Sequence, residues 1–163
     1  MTKTIWLFIW RFQPVHLGHI SAIEQLLERG VDRVVIGLGS SNAELSQENP
    51  FSAVEREELL RKSLDLHFPN HIIEIVEIPD VDQDKEWTEH ILQTIQPSFI
   101  MSGNTWTRQC FADKGIEIIE PSFDQKISAT EIRSAWREGR LDVVKQFLDN
   151  HILEFLDNHT YNG

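Results

Sequence analysis

The order of apolar runs along this sequence predicts an α/β fold: a Rossmann-like parallel sheet with helices on both faces. Short apolar runs alternate with longer amphipathic runs of helical period. Strand and helix therefore follow each other regularly, which is typical of parallel strands joined by crossover helices. The last stretch of the chain is helical, so a helical tail should follow the sheet. No internal repeat or low-complexity linker interrupts the pattern, and we expect residues 1–163 to form a single domain.

The predicted strands are short apolar runs bounded by turn residues. They cover residues 5–9, 33–38, 72–78, 99–102 and 116–119. The second run is rich in β-branched residues, and Pro79 closes the third. In a parallel sheet of this kind, ligands bind at the carboxyl ends of the strands. The loops that follow the strands are therefore the places where a site is expected.

The predicted helices fill the intervals between strands and the end of the chain. They cover residues 16–28, 52–66, 86–96 and, in the tail, 130–155, with breaks around Gly139 and Asn150. Apolar residues of the first helix fall on one face, and Gly30 ends it. Ser52 and Glu55 form a possible capping box for the second helix. Pro97 follows the third helix.

The charge balance narrows the choice of partners. The chain carries a formal net charge of −11, which argues against a protein that coats nucleic acid or an anionic membrane. We therefore expect neither nucleic acid nor a membrane as a partner. An anionic small substrate stays possible, because a local cluster of Arg, Lys and His side chains can reverse the field inside one cleft.

Cysteine content and the first apolar run bear on the cellular location. Cys110 is the only cysteine of the sequence, so no intrachain disulfide can form, which fits a reducing compartment. The apolar run at residues 5–10 ends at Arg11 and is too short for a signal sequence or a membrane span. We expect a cytoplasmic protein.

The loop after the first predicted strand, residues 10–19, contains two histidines, His16 and His19. Residues three apart share one face of a helix, so both imidazoles can point at one ligand. At a helix start they join unpaired N–H groups and the positive end of the helix dipole, which suits a phosphate. Gly18 removes a side chain where a phosphate or a neighbouring backbone comes close. Two ordinary surface histidines explain the pair alone equally well, whereas a metal site lacks clustered Cys or carboxylate support.

A second candidate phosphate site lies at residues 127–133. Ser128 and Thr130 are both good N-caps, and Glu131 completes a capping box with Ser128. Arg133 then falls in the first turn of a helix, where the helix dipole disfavours a cation. An anion bound there would explain it, although a capped surface helix whose Arg pairs with a nearby acid explains the segment alone better.

Both segments resemble signatures of one family. Residues 16–19, His-Leu-Gly-His, resemble the H-x-G-H signature of the nucleotidyltransferase superfamily, and residues 127–133 resemble its second signature, I-S-x-T-x-I-R. Residues 10–19 resemble the G-R-F-Q-P-x-H-x-G-H stretch of the archaeal-type nicotinamide mononucleotide adenylyltransferases. Nine of these ten positions match, and the exception is Trp10, where the family has glycine. Further stretches at residues 36–41, 48–56, 79–82 and 102–104 resemble the same branch.

The resemblance implies transfer of AMP from ATP to nicotinamide mononucleotide, which gives NAD and pyrophosphate. It implies Mg²⁺ with ATP, held mostly by phosphate and water, with no metal ligands from the protein. Its catalytic residues would be His16, His19 and Arg133. The residues expected to bind ATP are Arg11, Gln13, His16, Gly18, His19, Ser128, Thr130 and Arg133. Relatives of this branch assemble into oligomers, so we also expect a homo-oligomer.

The acceptor is expected to contact Asp80, Asp84 and Trp87. An indole stacks well on a flat pyridinium ring, and although a core tryptophan explains Trp87 equally well from spacing, the resemblance favours stacking. Asp84 stands where close relatives more often have asparagine. A carboxylate accepts both N–H bonds of a carboxamide and repels a second carboxylate, so we predict preference for the amide mononucleotide over its acid form.

Departures from the family pattern keep alternatives open. Trp10 must turn outwards or it narrows the ATP site. The chain is then a normal enzyme, an enzyme with altered acceptor or nucleotide preference, or a nucleotide-binding module that has lost catalysis. A transferase of the same fold with another phosphorylated acceptor is a further alternative. Residues 124–126 are less basic than in relatives, which leaves Lys126 as the only extra phosphate contact expected there.

Overall fold

One parallel sheet organises the molecule. The computed structural model describes residues 3–122 and 126–161; Asp124 and Gln125, named above, lie outside the described residues. Strands β1 to β5 are Ile5–Trp10, Arg33–Gly39, Ile73–Ile78, Phe99–Met101 and Glu117–Ile119. They lie side by side in the order β3-β2-β1-β4-β5, and every neighbouring pair is parallel.

The central strand β1 places the end of the sheet where a ligand can bind. Phe8 of β1 pairs with Ile36 of β2 on one side and with Met101 of β4 on the other. The chain order reverses at β1, because β2 and β3 lie on one side of it and β4 and β5 on the other. At such a reversal the loops after neighbouring strands separate and leave a crevice at their carboxyl ends.

Side chains of β1 alternate between two apolar clusters, as the period of a strand requires. Trp6 and Phe8 belong to the larger cluster, and Leu7 and Ile9 to the smaller one. Helices α1 (Leu17–Glu28), α2 (Ala53–His67), α5 (Ala129–Arg137) and α6 (Asn150–Asn158) contribute to the larger cluster, and α3 (Asp84–Thr94) and α4 (Thr105–Phe111) to the smaller one. The predicted fold class, a Rossmann-like parallel sheet with helices on both faces, is confirmed.

Local signals set most helix ends. Ser52 caps α2: its hydroxyl accepts from the Glu55 N–H at 3.2 Å and the Glu55 carboxylate accepts from the Ser52 N–H at 2.9 Å, the predicted capping box. Gly30 follows α1 with a positive φ of 68°, which a glycine adopts without steric cost. The predicted strands and helices are found within one to two residues at most ends.

Helix α4 was not predicted, and the tail differs from expectation. The α4 sequence is seven residues long with little apolar period, and it begins because the Asn104 side-chain oxygen accepts from the N–H groups of Trp106 (2.9 Å) and Thr107 (3.3 Å). In the tail, 3₁₀ turns at Leu141–Val143 and Lys145–Phe147 separate α5 from α6, so the predicted long helix is more strongly broken.

The predicted position of Arg133 within its helix was wrong. Ser128 is the N-cap of α5 and Ala129 its first residue, so Arg133 lies in the second turn and not the first. The unfavourable effect of the helix dipole is weaker there. Across residues 3–122 and 126–161, no helix combines the length and the apolar character that crossing a membrane requires.

Candidate active site

A cavity of about 550 Å³ opens at the carboxyl ends of β1 and β2 and the starts of α1 and α5. This size is typical of small-molecule sites. The predicted residues that line it are Arg11, Gln13, His16, His19, Asp80, Trp87, Ser128, Thr130 and Arg133. Gly18 and Asp84 are not among the lining residues. The two candidate phosphate motifs, far apart in the sequence, therefore face one cavity.

The two histidines form a buried, stacked pair at the start of α1. Their ring centroids are 3.8 Å apart and the rings are inclined by 26°. His16 is the N-cap, with extended backbone, and not a first-turn residue as the sequence predicted. Its Nδ1 accepts from the Gly18 N–H at 3.1 Å, and the His19 Nδ1 accepts from the His16 N–H at 3.1 Å. The imidazoles thus take the places of Ser and Glu in an ordinary capping box.

These bonds fix the tautomers of both rings. An Nδ1 that accepts a hydrogen bond carries no proton, so the proton of a neutral ring sits on Nε2. Burial lowers the pKa of His16 from 6.5 to about 4, against an opposing effect of Glu131. Burial and the neighbouring His16 lower the pKa of His19 well below its ordinary value. Both rings are therefore neutral near pH 7 and present Nε2–H groups as hydrogen-bond donors, not as cations.

Gly18 makes this arrangement possible. A Cβ atom at residue 18 would lie 2.8 Å from the Cε1 and Nδ1 atoms of His16. The neighbour that requires glycine is therefore the capping imidazole. The sequence predicts a phosphate or a backbone segment as the neighbour that glycine admits, whereas the structure places a side chain there.

Positive charge in the cavity comes from Arg133 and Arg11. The Arg133 side chain is buried, and its guanidinium donates to the Gln13 carbonyl at 2.9 Å and to the Thr130 hydroxyl at 3.2 Å. Burial, and next the charge of Arg11, lowers its pKa, against opposing effects of Tyr161 and Glu48. Among the described residues neither guanidinium has a carboxylate within ion-pair distance. Two cations without a carboxylate partner at one cavity suit an anionic ligand.

The start of α5 presents backbone donors and one available hydroxyl. The Ser128 hydroxyl donates to the Glu131 carboxylate at 2.9 Å and accepts from the Glu131 N–H at 3.2 Å. This side chain is occupied by its own capping box, whereas the Thr130 hydroxyl accepts from Arg133 and keeps its proton for a ligand. Lys126 precedes the helix and is exposed.

Both polar atoms of the Gln13 side-chain amide form hydrogen bonds with the backbone of Phe51. Its Nε2 donates to the Phe51 carbonyl at 3.0 Å, and its Oε1 accepts from the Phe51 N–H at 3.1 Å. The side chain is almost fully buried. Gln13 therefore joins the β1 loop to the segment before α2, and its backbone carbonyl orients Arg133.

Arg56 does not line the cavity, but it is a buried residue that holds the backbone of three residues that do, and it was not predicted from the sequence. Its guanidinium donates to the carbonyls of Arg11 (2.8 Å), Gly39 (2.8 Å) and Ser40 (3.0 Å), at the ends of β1 and β2. Phe12 and Ser40, with φ of 55° and 49°, are non-glycine residues in the left-handed region at these same turns. Arg56 thus stabilises the two strained turns, whose residues line the cavity. A lone Arg on the apolar face of α2 was the available signal.

Aromatic side chains form the wall on the β4 side. Trp87 is buried and packs against Trp106 with ring centroids 4.5 Å apart. Both residues line the cavity, and Trp106, in the unpredicted helix α4, is 40% exposed. Trp87 is therefore both a core residue and a cavity residue, and Trp106 is a second aromatic surface that the sequence analysis missed.

Trp10 lies in the cavity wall and does not turn outwards. Its indole stacks on Phe8 at 4.8 Å and meets His19 edge-on at 5.9 Å. A Cβ atom at Gly103 would lie 3.5 Å from its Cη2 atom. Of the two predicted outcomes, the structure shows the one in which the indole narrows the cavity.

The carboxylates near this wall differ in position. Asp80 lines the cavity, and its backbone is held by a pair of hydrogen bonds with the Asn42 side chain at 2.8 and 3.0 Å. Asp84 is the exposed first residue of α3, and its carbonyl accepts from the Thr88 hydroxyl at 2.7 Å. In the part of the chain that the structure describes, no group of three or more His, Cys, Asp or Glu side chains could hold a metal ion.

Comparison with known proteins places the chain in a family. Residues 7–135 match the model of the cytidylyltransferase-like family. The chain is 36% identical, over 154 residues, to the nicotinamide-nucleotide adenylyltransferase of Thermococcus onnurineus, with 92% of this chain and 80% of the relative covered. It is 35% identical to that of Pyrococcus furiosus, with 91% and 82% covered. The chain therefore belongs to the cytidylyltransferase-like family. Its relatives there are archaeal nicotinamide-nucleotide adenylyltransferases, the branch that the sequence motifs indicated.

Solved structures share the fold. A bifunctional NMN adenylyltransferase/ADP ribose pyrophosphatase from Francisella tularensis, complexed with AMP and an Mn ion, superimposes with a TM-score of 0.77 at 23% identity. The match covers 98% of this chain and 51% of that chain, so this chain spans about half its length. A nicotinate-nucleotide adenylyltransferase structure from Vibrio parahaemolyticus, which its describers call putative, superimposes with a TM-score of 0.66 at 20% identity.

Proposed function

We propose that this protein transfers AMP from ATP to nicotinamide mononucleotide, giving NAD and pyrophosphate. The observation that carries the proposal is the convergence of His16, His19 and Arg133 on one cavity, at the starts of α1 and α5. Helix starts supply backbone N–H donors and a positive dipole end for phosphate. The relatives at 35–36% identity, all named for this reaction, support the same acceptor.

The reaction needs no nucleophile from the protein. An anionic phosphate oxygen of the mononucleotide attacks the α-phosphorus of ATP and forms a new P–O bond. The bond from the α-phosphorus to the oxygen that bridges to the β-phosphate breaks, and pyrophosphate leaves with that electron pair. The protein has to align the two substrates and stabilise the charge that develops on the phosphate oxygens.

Two kinds of donor share this work. Arg11 and Arg133 supply full charge and hold the triphosphate, as planar guanidinium groups do well. The neutral Nε2–H groups of His16 and His19 supply directed hydrogen bonds, and we assign His19 to the α-phosphate. Thr130 and the N–H groups at the start of α5 bind the β- and γ-phosphates, with Ser128 contributing as the helix cap.

A divalent cation would enter with ATP, and we propose Mg²⁺. The described residues offer no cluster of ligating side chains, so phosphate oxygens and water would provide most of its ligands. When bound, it neutralises part of the triphosphate charge. Asp80 is the carboxylate that lines the cavity on the acceptor side.

The acceptor lies, in this proposal, against the aromatic wall. Trp87 offers its indole to the pyridinium ring, and Asp80 and Asp84 lie at the end of β3 and the start of α3. The preference for the amide over the acid mononucleotide stays a prediction. So do the cytoplasmic location, the homo-oligomeric state and the single domain over residues 1–163.

The test is incubation of the protein with ATP, Mg²⁺ and nicotinamide mononucleotide, with dinucleotide and pyrophosphate measured together. Equal amounts of both products are expected. The Arg133→Ala variant serves as control, because it removes the buried cation of the cavity, and circular dichroism establishes that it is folded. ATP binding without release of pyrophosphate would refute adenylyl transfer.

A transferase with another phosphorylated acceptor is a second candidate, and the position of Trp10 in the cavity wall favours it. An indole beside Gly103 occupies space that the glycine of the resembled family pattern would leave open. A panel with phosphopantetheine, a flavin phosphate and a sugar-alcohol phosphate in place of the mononucleotide separates the two candidates. If turnover is faster with any of these compounds than with nicotinamide mononucleotide, that compound becomes the proposed acceptor.

A further inference from the structure

We propose that Tyr161 is a positioning residue for the ATP side of the site. Its hydroxyl holds the loop between β2 and α2 in place, and Asn49 of that loop accepts a hydrogen bond from Arg11. The proposal rests on the function proposed above. Tyr161 follows α6 and is far from the cavity motifs in the sequence, and the hydrogen bond between its hydroxyl and the Gln47 carbonyl joins this segment to the loop between β2 and α2.

Two neighbours from α5 hold the Tyr161 ring in place. The ring meets Trp136 edge-on, with centroids 4.8 Å apart. The guanidinium carbon of Arg137 lies 5.6 Å from the ring centroid, and the Arg137 Nη1 donates to the Gln47 side-chain oxygen at 3.4 Å. Tyr161 and Arg137 together therefore attach Gln47 to the helix that carries Arg133.

The loop needs such an attachment. Residues 44–48 are exposed, so apolar packing does little to fix them. Inside the loop, the Ser46 N–H donates to the Asn49 carbonyl at 3.1 Å and the Ser46 hydroxyl accepts from the Asn49 N–H at 3.2 Å. These bonds give residues 46–49 a fixed local shape. The attachment at Gln47 then sets where that shape lies relative to α5.

The loop reaches the ATP side of the site through Asn49. The Asn49 side-chain oxygen accepts from the Arg11 Nη1 at 3.2 Å. Tyr161 and Glu48 are also close enough to Arg133 to oppose the lowering of its pKa by burial. The Tyr161 segment, the loop and both cavity arginines are therefore one connected unit. A displaced loop would leave the Arg11 guanidinium without its acceptor and free to move.

Tyr161→Phe removes the hydroxyl and keeps the ring against Trp136 and Arg137. One neutral hydrogen bond corresponds to about a two- to tenfold change in an equilibrium constant. We therefore expect the dissociation constant and the KM for ATP to rise about two- to tenfold. The kcat and the KM for the mononucleotide should change less than twofold, because Trp87 of the acceptor wall packs in the smaller apolar cluster, whereas Trp136, which holds Tyr161, packs in the larger cluster on the opposite face of the sheet. Amide hydrogen exchange at residues 46–49 should accelerate.

A matched control is Thr94→Val, which removes a hydroxyl that donates to the His90 carbonyl at 2.6 Å on α3, outside the cavity lining. This variant should leave ATP binding unchanged. Arg137→Gln removes the other attachment and should weaken ATP binding in the same direction as Tyr161→Phe. Circular dichroism and thermal unfolding establish that each variant is folded.

ATP binding is measured by titration calorimetry without any acceptor. This measurement distinguishes a failure of the Tyr161 proposal from a failure of the proposed function. Unchanged ATP affinity in Tyr161→Phe would overturn the proposal, and so would equal losses in both KM values and kcat. Weaker ATP binding in both variants, with faster exchange of the loop, supports it. Absence of turnover in the unmodified protein would count against the proposed function alone, because the binding measurement does not depend on it.

Discussion

Lowering the pH from 7 to 5 should destabilise the ligand-free protein through the buried imidazole of His16. In the unfolded chain this ring has its ordinary pKa of 6.5, whereas burial lowers the pKa to about 4 in the folded protein. Above pH 6.5 both states are neutral and the shift costs nothing. Between pH 6.5 and pH 4 the unfolded chain binds a proton that the folded protein does not, so stability decreases as the pH falls.

The magnitude follows from the two pKa values. With 6.5 for the unfolded and about 4 for the folded ring, the loss is about 2 kcal/mol at pH 5 and about 3 kcal/mol at pH 4. The lowered pKa of His19 acts in the same direction. A loss of this size is a large part of the 5–15 kcal/mol that is typical of folded domains.

The assay is urea unfolding at pH 7, 6 and 5, applied to the unmodified protein and to His16→Asn. Asparagine also caps a helix, so it can accept from the Gly18 N–H without titrating. The other titrating groups are common to both proteins and cancel in the difference, except His19, whose pKa is lowered by the neighbouring His16 and which therefore adds to the difference in the same direction. The unmodified protein should lose about 2 kcal/mol more than the variant between pH 7 and pH 5. His90→Asn, at an exposed position on α3, is the matched control.

Equal pH dependence of the unmodified protein and His16→Asn would refute the reasoning, because it would mean that the folded protein protonates His16 as readily as the unfolded chain does. The assignment of the His16 ring as a neutral Nε2–H donor would then hold only above pH 6.5. A titration of the His16 ring signals in NMR spectra near pH 6.5 would reveal such protonation directly.

Three further predictions follow from the site. His19→Ala should lower kcat by a factor of about 10² to 10³, the usual loss for one positioned donor; full adenylyl transfer would show that the assignment is wrong. Arg56→Lys should lower the free energy of unfolding by about 1–3 kcal/mol, because the single nitrogen of the shorter lysine side chain cannot reproduce the planar fork by which two guanidinium nitrogens reach three carbonyls; urea unfolding measures this, and an unchanged midpoint contradicts it. The amide mononucleotide should be preferred over the acid form in competition kinetics, and Asp84→Asn should reduce that preference; equal or faster use of the acid form by the unmodified protein ends the idea.

The parts of the fold that depend on local signals could be predicted from the sequence. Alternating apolar runs gave the strands and most helices, and the Ser52–Glu55 capping box marked the start of α2. Helix α4 was not predicted because it is only seven residues long, and its main local signal is the Asn104 N-cap. A segment of this length is too short for a helical apolar period to be recognised.

The chemistry of the site could not be predicted from local sequence signals alone. The motifs at residues 16–19 and 127–133 identified the residues that face the cavity, but their chemistry depends on neighbours distant in the sequence. Gln13 is occupied by Phe51, 38 residues away, and Arg56 by the carbonyls of Arg11, Gly39 and Ser40. The charge state of His16 and His19 depends on burial, which no spacing rule supplies.

The neutral histidines explain how the site can bind a highly charged ligand without a large cost in stability. Four full cations around one cavity, three of them buried, would repel each other, and the buried ones would lose their hydration before ATP arrives. In this structure the charge is confined to guanidinium groups, each held by neutral acceptors: Arg11 by Asn49, and Arg133 by the Gln13 carbonyl and Thr130. The imidazoles add directed N–H donors without adding charge. The cavity is therefore preorganised for phosphate, although the ligand-free protein contains only a few mutually repelling cations there. Arginine supplies the positive charge near pH 7.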